Sequence, residues 1–429
     1  MGIEESACSL PTTVSLFAGA GGLDIGLEMA GFETIAAVDF DPDSVASLRA
    51  NQQAGIKILQ TSRAFLEKAH ILESDIAGIH RKDLVPACSD SWQPDLLAGG
   101  PPCQPFSSSG KQLALDDPRG RLFEHFVRLA DELQPQLLLF ENVRGLVTAQ
   151  GPTGEPGEAL AMVQAAFEKI GYGTVFSLLN AADYGAPQRR VRLFMLAARK
   201  DPLPQFLKPT HSETPTPGVS KPWVTLGQFL ASREMPPAGD IVLPSPRLSK
   251  LLSNVPQGSG LKSAGAREMT RPGGHWGYKQ GMFIADMAKP ARTVTAAATQ
   301  DWIRQDGILR RLTWQECAGL QGFPREWLFI GGKASRFRQI GNAVPSVFGA
   351  VLGTALIRAL STQRGQPPVT SAPWPGSFLT SIDHTKRERK RNGESRRMVR
   401  AALADGGADV CHIKGLGTAE TSASGKRTP

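Results

Sequence analysis

Cys103 stands in the run Gly99-Gly100-Pro101-Pro102-Cys103-Gln104-Pro105-Phe106-Ser107, directly after the apolar stretch Leu96-Leu97-Ala98. Two prolines stiffen the turn after a strand, so the thiol is presented at the strand's end. A thiolate held there is a soft nucleophile. Cys8, Cys88, Cys317 and Cys411 lack such a frame and read as ordinary buried cysteines. Glu141 closes the apolar run Leu137-Leu138-Leu139-Phe140. An acid at that end of a strand in an open α/β sheet points into the ligand crevice, although it could equally cap the next segment. Arg190 and Arg192 lie two apart and share one face if the chain is extended there. Beside an apolar strand they need an acidic or carbonyl partner. Phe17-Ala18-Gly19-Ala20-Gly21-Gly22 joins a strand to a helix, and its glycines let the backbone approach a ligand at the helix N-terminus. Asp24 stands where the dinucleotide fingerprint needs its third glycine. Asp39, 18 residues after Gly21, could accept both hydroxyls of a ribose. Together these suggest an adenosine-type cofactor, and a glycine turn serving packing alone remains the alternative.

These residues need a scaffold, and the first 200 positions supply an alternating one. Strand-like TTVSL, TIAAVDF, DLLAGG, QLLLFENV, TVFSLLN and VRLFMLAAR are interleaved with helix-like GGLDIGLEMAGF, a segment opening at Pro42, HFVRLADEL and ALAMVQAAFEKIG. This predicts an α/β fold, a doubly wound and largely parallel sheet covered on both faces. Residues 201–290 are rich in Pro, Gly and Ser and predict a smaller, loop-rich unit. Order returns with TWQECAGLQGF and an apolar helix after Asn342. From Gln363 onward, Pro, Ser and the run KRERKRNGESRR predict a mobile basic tail.

Composition bounds the function. The 429 residues are 41% hydrophobic and 21% charged, as in ordinary globular proteins. The uncharged stretch Val344–Ile357 carries Pro, Gly, Ser and Thr and reads as a packed helix rather than a membrane span. Five cysteines without a CxxC pair exclude a disulfide framework and a cysteine-rich zinc site, and a reducing cytoplasm fits. Of the net charge of +8, residues 386–429 carry +6, so basicity says little about the body of the chain.

The blocks SLFAGAGGLDIGLEMAGF, VDFDP, Ser74-Asp75-Ile76, GGPPCQPFS, DDPRGRLF, ENVRGL, DYGAPQRRVRLF, RRLTWQECAGLQGFP and QIGNAVP occur in series. In content, order and spacing the chain resembles the DNA (cytosine-5) methyltransferases from Val14 to about Leu360, apart from residues 201–290. The resemblance implies a Rossmann-like methyltransferase sheet over 1–200 completed by 338–362. It places a target-recognition domain in 201–337, and 363–429 is left as the tail. It implies S-adenosylmethionine as methyl donor and flipped-out cytosine in duplex DNA as substrate. It also implies a stand-alone bacterial modification enzyme, commonly paired genetically with a restriction endonuclease. A monomer without membrane association is expected.

By that resemblance Cys103 adds to carbon 6 of cytosine and makes carbon 5 nucleophilic. Glu141 contacts ring nitrogen 3 and the exocyclic amine. Arg192 stabilises charge on oxygen 2, with Arg190 its more structural companion. Phe17 and Phe40 would flank adenine, Asp39 hold the ribose, and Asp75 and Ile76 meet the adenine edge. The backbone of Gly19, Gly21 and Gly22 would lie near the methionine moiety, with Pro101, Leu122, Asn342 and Val344 completing the pocket. A mobile loop, Ser107–Arg121, would close over the flipped base. Gln104, Ser107, Arg271, Trp276, Arg292 and Thr293 are the DNA-contact candidates, with His275, Tyr278 and Lys279 as further readers. Three rivals remain: a tRNA methyltransferase sharing this core, an inactive DNA-binding relative, and a nicotinamide oxidoreductase.

Overall fold

A computed structural model describes residues 10–58, 63–84, 92–102, 122–261, 282–362, 367 and 369–404, with side chains to 391 in the last helix. The strands of the main sheet are β1 (Thr12–Leu16), β2 (Glu33–Asp39), β3 (His70–Glu73), β4 (Leu96–Gly99), β5 (Leu137–Val143), β6 (Gly173–Asn180) and β7 (Val191–Ala198). The early helices are α1 (Gly22–Ala30), α2 (Pro42–Gln53), α3 (Arg81–Leu84), α4 (Leu122–Leu133) and α5 (Glu158–Lys169). Sheet order is β3-β2-β1-β4-β5-β7-β6. The chain winds one way from β1 and then the other from β4, so the carboxyl ends of β1 and β4 diverge into a crevice. Only β7 runs antiparallel, paired with β5 and β6.

Both faces of the sheet are buried, which the near-continuous apolar runs of β4 and β5 require. On one face Phe126 of α4, Phe140 of β5 and Phe167 of α5 meet edge to face. On the other lie α1 and a late helix, α10 (Ser346–Thr362). Phe348, Leu352 and Leu356 of α10 are fully buried, so its apolar length serves the core.

α1 and α10 touch backbone to backbone. A Cβ on Gly26 would lie 2.0 Å from the Ser346 carbonyl oxygen, and one on Gly349 would lie 2.3 Å from that of Leu23. Glycines at 22, 26, 349 and 353, one helical turn apart on each helix, make this approach possible.

The segment 201–337 holds the two-stranded β8 (His211–Ser212) and β9 (Lys221–Pro222) and the four-stranded sheet β10 (Ser259–Gly260), β11 (Phe283–Ile284), β12 (Trp302–Gln305) and β13 (Ile308–Arg311). It also holds α6 (Leu226–Ala231), α7 (Pro246–Leu252), α8 (Trp314–Leu320) and the start of α9 (Lys333–Asn342). Much of it does not stand apart. Leu226, Phe229, Val294, Ile303, Leu320 and Phe323 share a core with Ile25, Val45 and Leu48 of the large sheet's helices. A compact local core, Leu252, Val255, Ile284 and Trp302, is its own.

The reading of residues 363–429 as a mobile tail is corrected for part of its length. Residues 376–404 form α11 (Gly376–Ala404), and Phe378 is 1% exposed. Before it, the Ala372 amide donates to the Thr174 carbonyl, and Ser371 Oγ accepts from the Thr174 amide. This stretch therefore covers the otherwise open edge of β6. Two apolar residues four apart, Phe378 and Ile382, anchor a segment whose overall composition is polar.

Candidate functional site

The crevice is built from the carboxyl ends of β1, β2, β4 and β5. β1 runs into Phe17, which adopts φ 55°, and then Gly19 (φ 56°) and Gly21 (φ 84°). Gly21 is the N-cap of α1, a conformation that strains any L-residue with a Cβ. Asp39, ending β2, ties the turn down. Its Oδ2 accepts from the Gly19 amide at 2.8 Å and its Oδ1 from the Asp41 amide at 2.8 Å. Burial raises the Asp39 pKa against the pull of those two N–H groups. Phe40, next in the chain, is 70% exposed, an unusual outlay of apolar surface at a crevice rim. Asp75, also exposed, accepts from the Ala77 amide and begins the short 3-10 turn holding buried Ile76. β3 pairs with β2 and brings that turn beside Asp39 and Phe40.

Leu122 and Phe17 both pack against the core beneath this crevice, and Pro101 is buried at the end of β4. From the opposite side, the last residue of α9 is the exposed Asn342, and the turn from it to α10 supplies Val344. The Val344 carbonyl oxygen lies 2.4 Å from where a Gly22 Cβ would stand. The structure joins Gly19 to Asp39, sets Val344 over Gly22 and puts the Asp75–Ile76 turn beside Asp39 and Phe40, drawing on segments spread over more than 300 residues.

Glu141 and Arg192 meet on adjacent antiparallel strands, the Arg192 Nε lying 3.1 Å from Glu141 Oε1. Glu141 is 9% exposed. Burial raises its pKa, and the Arg192 and Arg190 guanidinium charges oppose that rise. Its other oxygen, Oε2, lies against Gly100, where a Cβ would come within 2.6 Å. Sequence reading did not single out Gly100, though the doubled glycine before PPC was the available signal. Asn142 donates from Nδ2 to the Pro101 carbonyl at 3.4 Å, joining the β5 end to the β4 loop.

Arg190 does different work. It is 2% exposed and donates to the carbonyls of Val294, Gly341 and Ala343 at 2.8 to 3.0 Å. Its side chain thus clips the start of β7 to the ARTVT segment and to the turn between α9 and α10. Gln188, also missed from sequence, donates to the Leu320 carbonyl and to Gln321 Oε1 and accepts from the Val294 amide. Gln321 in turn donates to the carbonyls of Ile340 and Ala343. The blocks QRR, TWQECAGLQGF and QIGNAVP interlock through these amides.

Cys103, Gln104, Ser107 and the loop to Arg121 lie outside the described residues, as do Arg271, His275, Trp276, Tyr278 and Lys279. Thr293 Oγ1 donates to the Arg189 carbonyl at 2.9 Å. Arg292, expected to face DNA, lies instead over the Phe283 ring at 4.2 Å and 3.6 Å from Asp301 Oδ1, with its side chain 12% exposed. Its guanidinium is engaged inside the small sheet, because an arginine flanked by an aromatic face and a carboxylate is better solvated there.

The glycine turn and Asp39 at one group of strand ends and the Glu141–Arg192 pair at another put polar groups along the carboxyl edge of the sheet. The family profile described as C-5 cytosine-specific DNA methylase matches residues 12–358. The Type II methyltransferase M.NgoFVII of Neisseria gonorrhoeae is 32% identical over 351 residues, covering 80% of this chain and 85% of the relative. M.XorII of Xanthomonas oryzae pv. oryzae is 32% identical over 390 residues, covering 83% and 87%. The crystal structure of S. pombe Dnmt2 methyltransferase superposes with a TM-score of 0.55 at 18% identity, covering 82% of this chain and 99% of that one.

Proposed function

Since the chain belongs to the C-5 cytosine-specific DNA methylase family and is a DNA (cytosine-5-)-methyltransferase, we propose that it methylates carbon 5 of a cytosine rotated out of duplex DNA. Its role is then the modification half of a restriction–modification system. The observation that carries the site assignment is the buried Glu141–Arg192 pair against Gly100, at the strand end from which the PPC loop leaves.

Cytosine carbon 5 is a poor nucleophile while the ring is aromatic. Addition of the Cys103 thiolate to carbon 6 breaks that aromaticity and pushes electron density toward carbon 5, nitrogen 3 and oxygen 2. Burial favours the protonated carboxyl of Glu141. In that form it donates to nitrogen 3 as charge develops, while its carbonyl oxygen accepts from the exocyclic amine. Arg192, held beside it, donates to oxygen 2 as an oxyanion donor does. Arg190 holds this wall through backbone carbonyls and acts by positioning. When bound, S-adenosylmethionine supplies the electrophilic methyl. Phe40 would stack on its adenine, Asp39 would accept from its ribose, and the Gly19–Gly22 turn would leave room for its methionine end. The exposed ring, the carboxylate and the Cβ-free turn lying together support that fit. Loss of the carbon 5 proton and departure of the Cys103 sulfur complete the turnover. Extruding the base costs a few kcal/mol of stacking.

The protein works as a monomer in this reading, and any restriction endonuclease is a genetic partner. Bisulfite and restriction-protection mapping of DNA from cells expressing the protein tests substrate and target together, and unmodified DNA refutes the proposal. Duplex containing 5-fluorocytosine should cross-link at Cys103 in the presence of methyl donor. An active preparation that forms no adduct refutes the covalent role.

A further inference from the structure

α11 lies outside the span matched by the family profile and is strongly basic. Phe378 packs with Leu146, Val147 and Ala149 in the core behind the 3-10 turn Arg144–Thr148. Ile382 fills the space over Gly157, where a Cβ would meet its Cδ1 at 2.7 Å. Lys386 pairs with Glu155 at 3.3 Å, and Arg389 donates to the Gly154 carbonyl at 3.4 Å.

The topology says where this is. β5 ends at the crevice with Glu141; the 3-10 turn and the loop 149–157 follow directly, before α5 runs back along the sheet. α11 therefore reaches the carboxyl edge of the sheet at the loop that follows β5, the edge at which Glu141 stands. Its inward face is Phe378 and Ile382, both buried, and, further on, the half-buried Arg389. Helical geometry turns Arg387, Lys390 and Arg391 outward, and all three are exposed. Glu388, 4.0 Å from Arg391, is the acid among them. The sequence of the helix continues with Arg396, Arg397 and Arg400 against Glu394. At about 1.5 Å per residue the helix is on the order of 40 Å long, roughly a turn of duplex and more.

We propose that α11 is a duplex-DNA arm, docked by Phe378 and Ile382 beside the Glu141 rim, that presents Arg387, Lys390 and Arg391 to phosphates flanking the target. This rests on the reading that duplex DNA is the substrate. A linear array of cations on a rim that must face a polyanion fits the phosphate backbone by charge, and phosphate contacts carry no sequence information. The arm adds affinity and leaves target choice to the small domain.

The test is a salt titration of full-length protein on a random-sequence duplex of about 30 base pairs. Wild type is compared with the triple variant Arg387→Gln, Lys390→Gln, Arg391→Gln. Each phosphate contact contributes about −0.9 to the slope of log K against log salt, so loss of three flattens it by about 2.7. The wild-type advantage then shrinks by about 40-fold between 50 and 200 mM salt. A second variant, Phe378→Ala with Ile382→Ala, keeps every charge but frees the helix. It should lose part of the affinity at low salt, and wild-type affinity there overturns the docking. Unchanged slope in the triple variant overturns the arm. So does an unchanged slope together with lost binding to vesicles of phosphatidylserine and phosphatidylcholine, which would assign the charges to a membrane. Wild-type protein that neither binds nor methylates duplex DNA defeats the functional reading itself, a result distinct from either.

Discussion

Gly26→Ala is the sharpest perturbation of the scaffold behind the cofactor crevice. In an exposed helix interior the change would stabilise by about 1 kcal/mol, because alanine forms helix better than glycine. Here the new Cβ falls 2.0 Å from the Ser346 carbonyl oxygen, 2.6 Å from the Ala350 amide nitrogen and 2.7 Å from the Gly349 Cα. All three are backbone atoms, so no side chain can swing away. Reaching an ordinary contact of about 3.4 Å requires α1 and α10 to separate by more than about 1 Å, and overpacking of that kind costs about 1–3 kcal/mol. The gain in propensity offsets part of this, and the expected outcome is net destabilisation of up to about 2 kcal/mol. Function should suffer beyond stability. α1 carries the glycine turn at its N-terminus, and α10 is preceded by the Asn342–Val344 turn that faces it. Spreading the helices therefore moves two walls of one crevice. Urea unfolding reads the first effect, and calorimetric titration with S-adenosylmethionine, well below the unfolding midpoint, reads the second. Gly239→Ala, with nothing within 4 Å, is the control. A Gly26→Ala protein as stable as wild type, with unchanged cofactor affinity, would refute the argument that backbone contact sets this geometry.

Three other outcomes are expected. Glu28 is buried on α1 with its pKa raised to about 7 from 4.5 by desolvation, and Asp24, one turn earlier, is raised to about 6 from 3.8. Both carboxyls hold protons more tightly folded than unfolded, so stability should fall as pH rises from about 4 to about 7. Glu28→Gln should gain, relative to wild type, up to about 3 kcal/mol across that window, and parallel urea curves at both ends would contradict it. Arg310 forks onto Glu316 with Nη1 to Oε2 at 2.9 Å and Nη2 to Oε1 at 2.7 Å, both side chains nearly inaccessible. Arg310→Met should cost about 3–5 kcal/mol, and adding Glu316→Leu should recover part of that; equal stability of the two variants would disprove the pairing's role. Glu141→Gln cannot pass a proton to the ring and should slow methyl transfer by about 10²–10⁴ with a native unfolding curve, so a wild-type rate removes Glu141 from the mechanism.

The parts of the fold that could be read in advance were those where one short stretch carries its own signal. TTVSL, QLLLFENV and the helix stopped by Gly31 declare themselves by run length and punctuation, and the glycine turn and Glu141 ride on them. β3 did not, because His70–Glu73 is four residues with one buried side chain, Ile71, and is a strand only by pairing with β2. The antiparallel entry of β7 between β5 and β6 is likewise a fact of pairing. Arg190 and Arg192 look alike in sequence and differ in space. Arg190 finds three carbonyls from two remote segments, and Arg192 finds a carboxylate across a strand. Arg292 went the other way, since its position near the recognition segment gave no hint of Phe283 and Asp301 around it. α11 was masked by its own charge, its docking resting on Phe378 and Ile382 alone in a run of polar residues.

The embrace of α1 by α10 also constrains how the molecule is made. α1 leaves the ribosome about 320 residues ahead of the helix it must touch. Throughout most of translation, its glycine-lined stripe faces no partner, and nascent chains in that condition are the ones chaperones hold. A message broken or a ribosome stalled before Thr362 yields a polypeptide with every early motif present and the back wall of the crevice missing. Competence for methyl transfer therefore arrives only once α10 has emerged, at one late moment of synthesis.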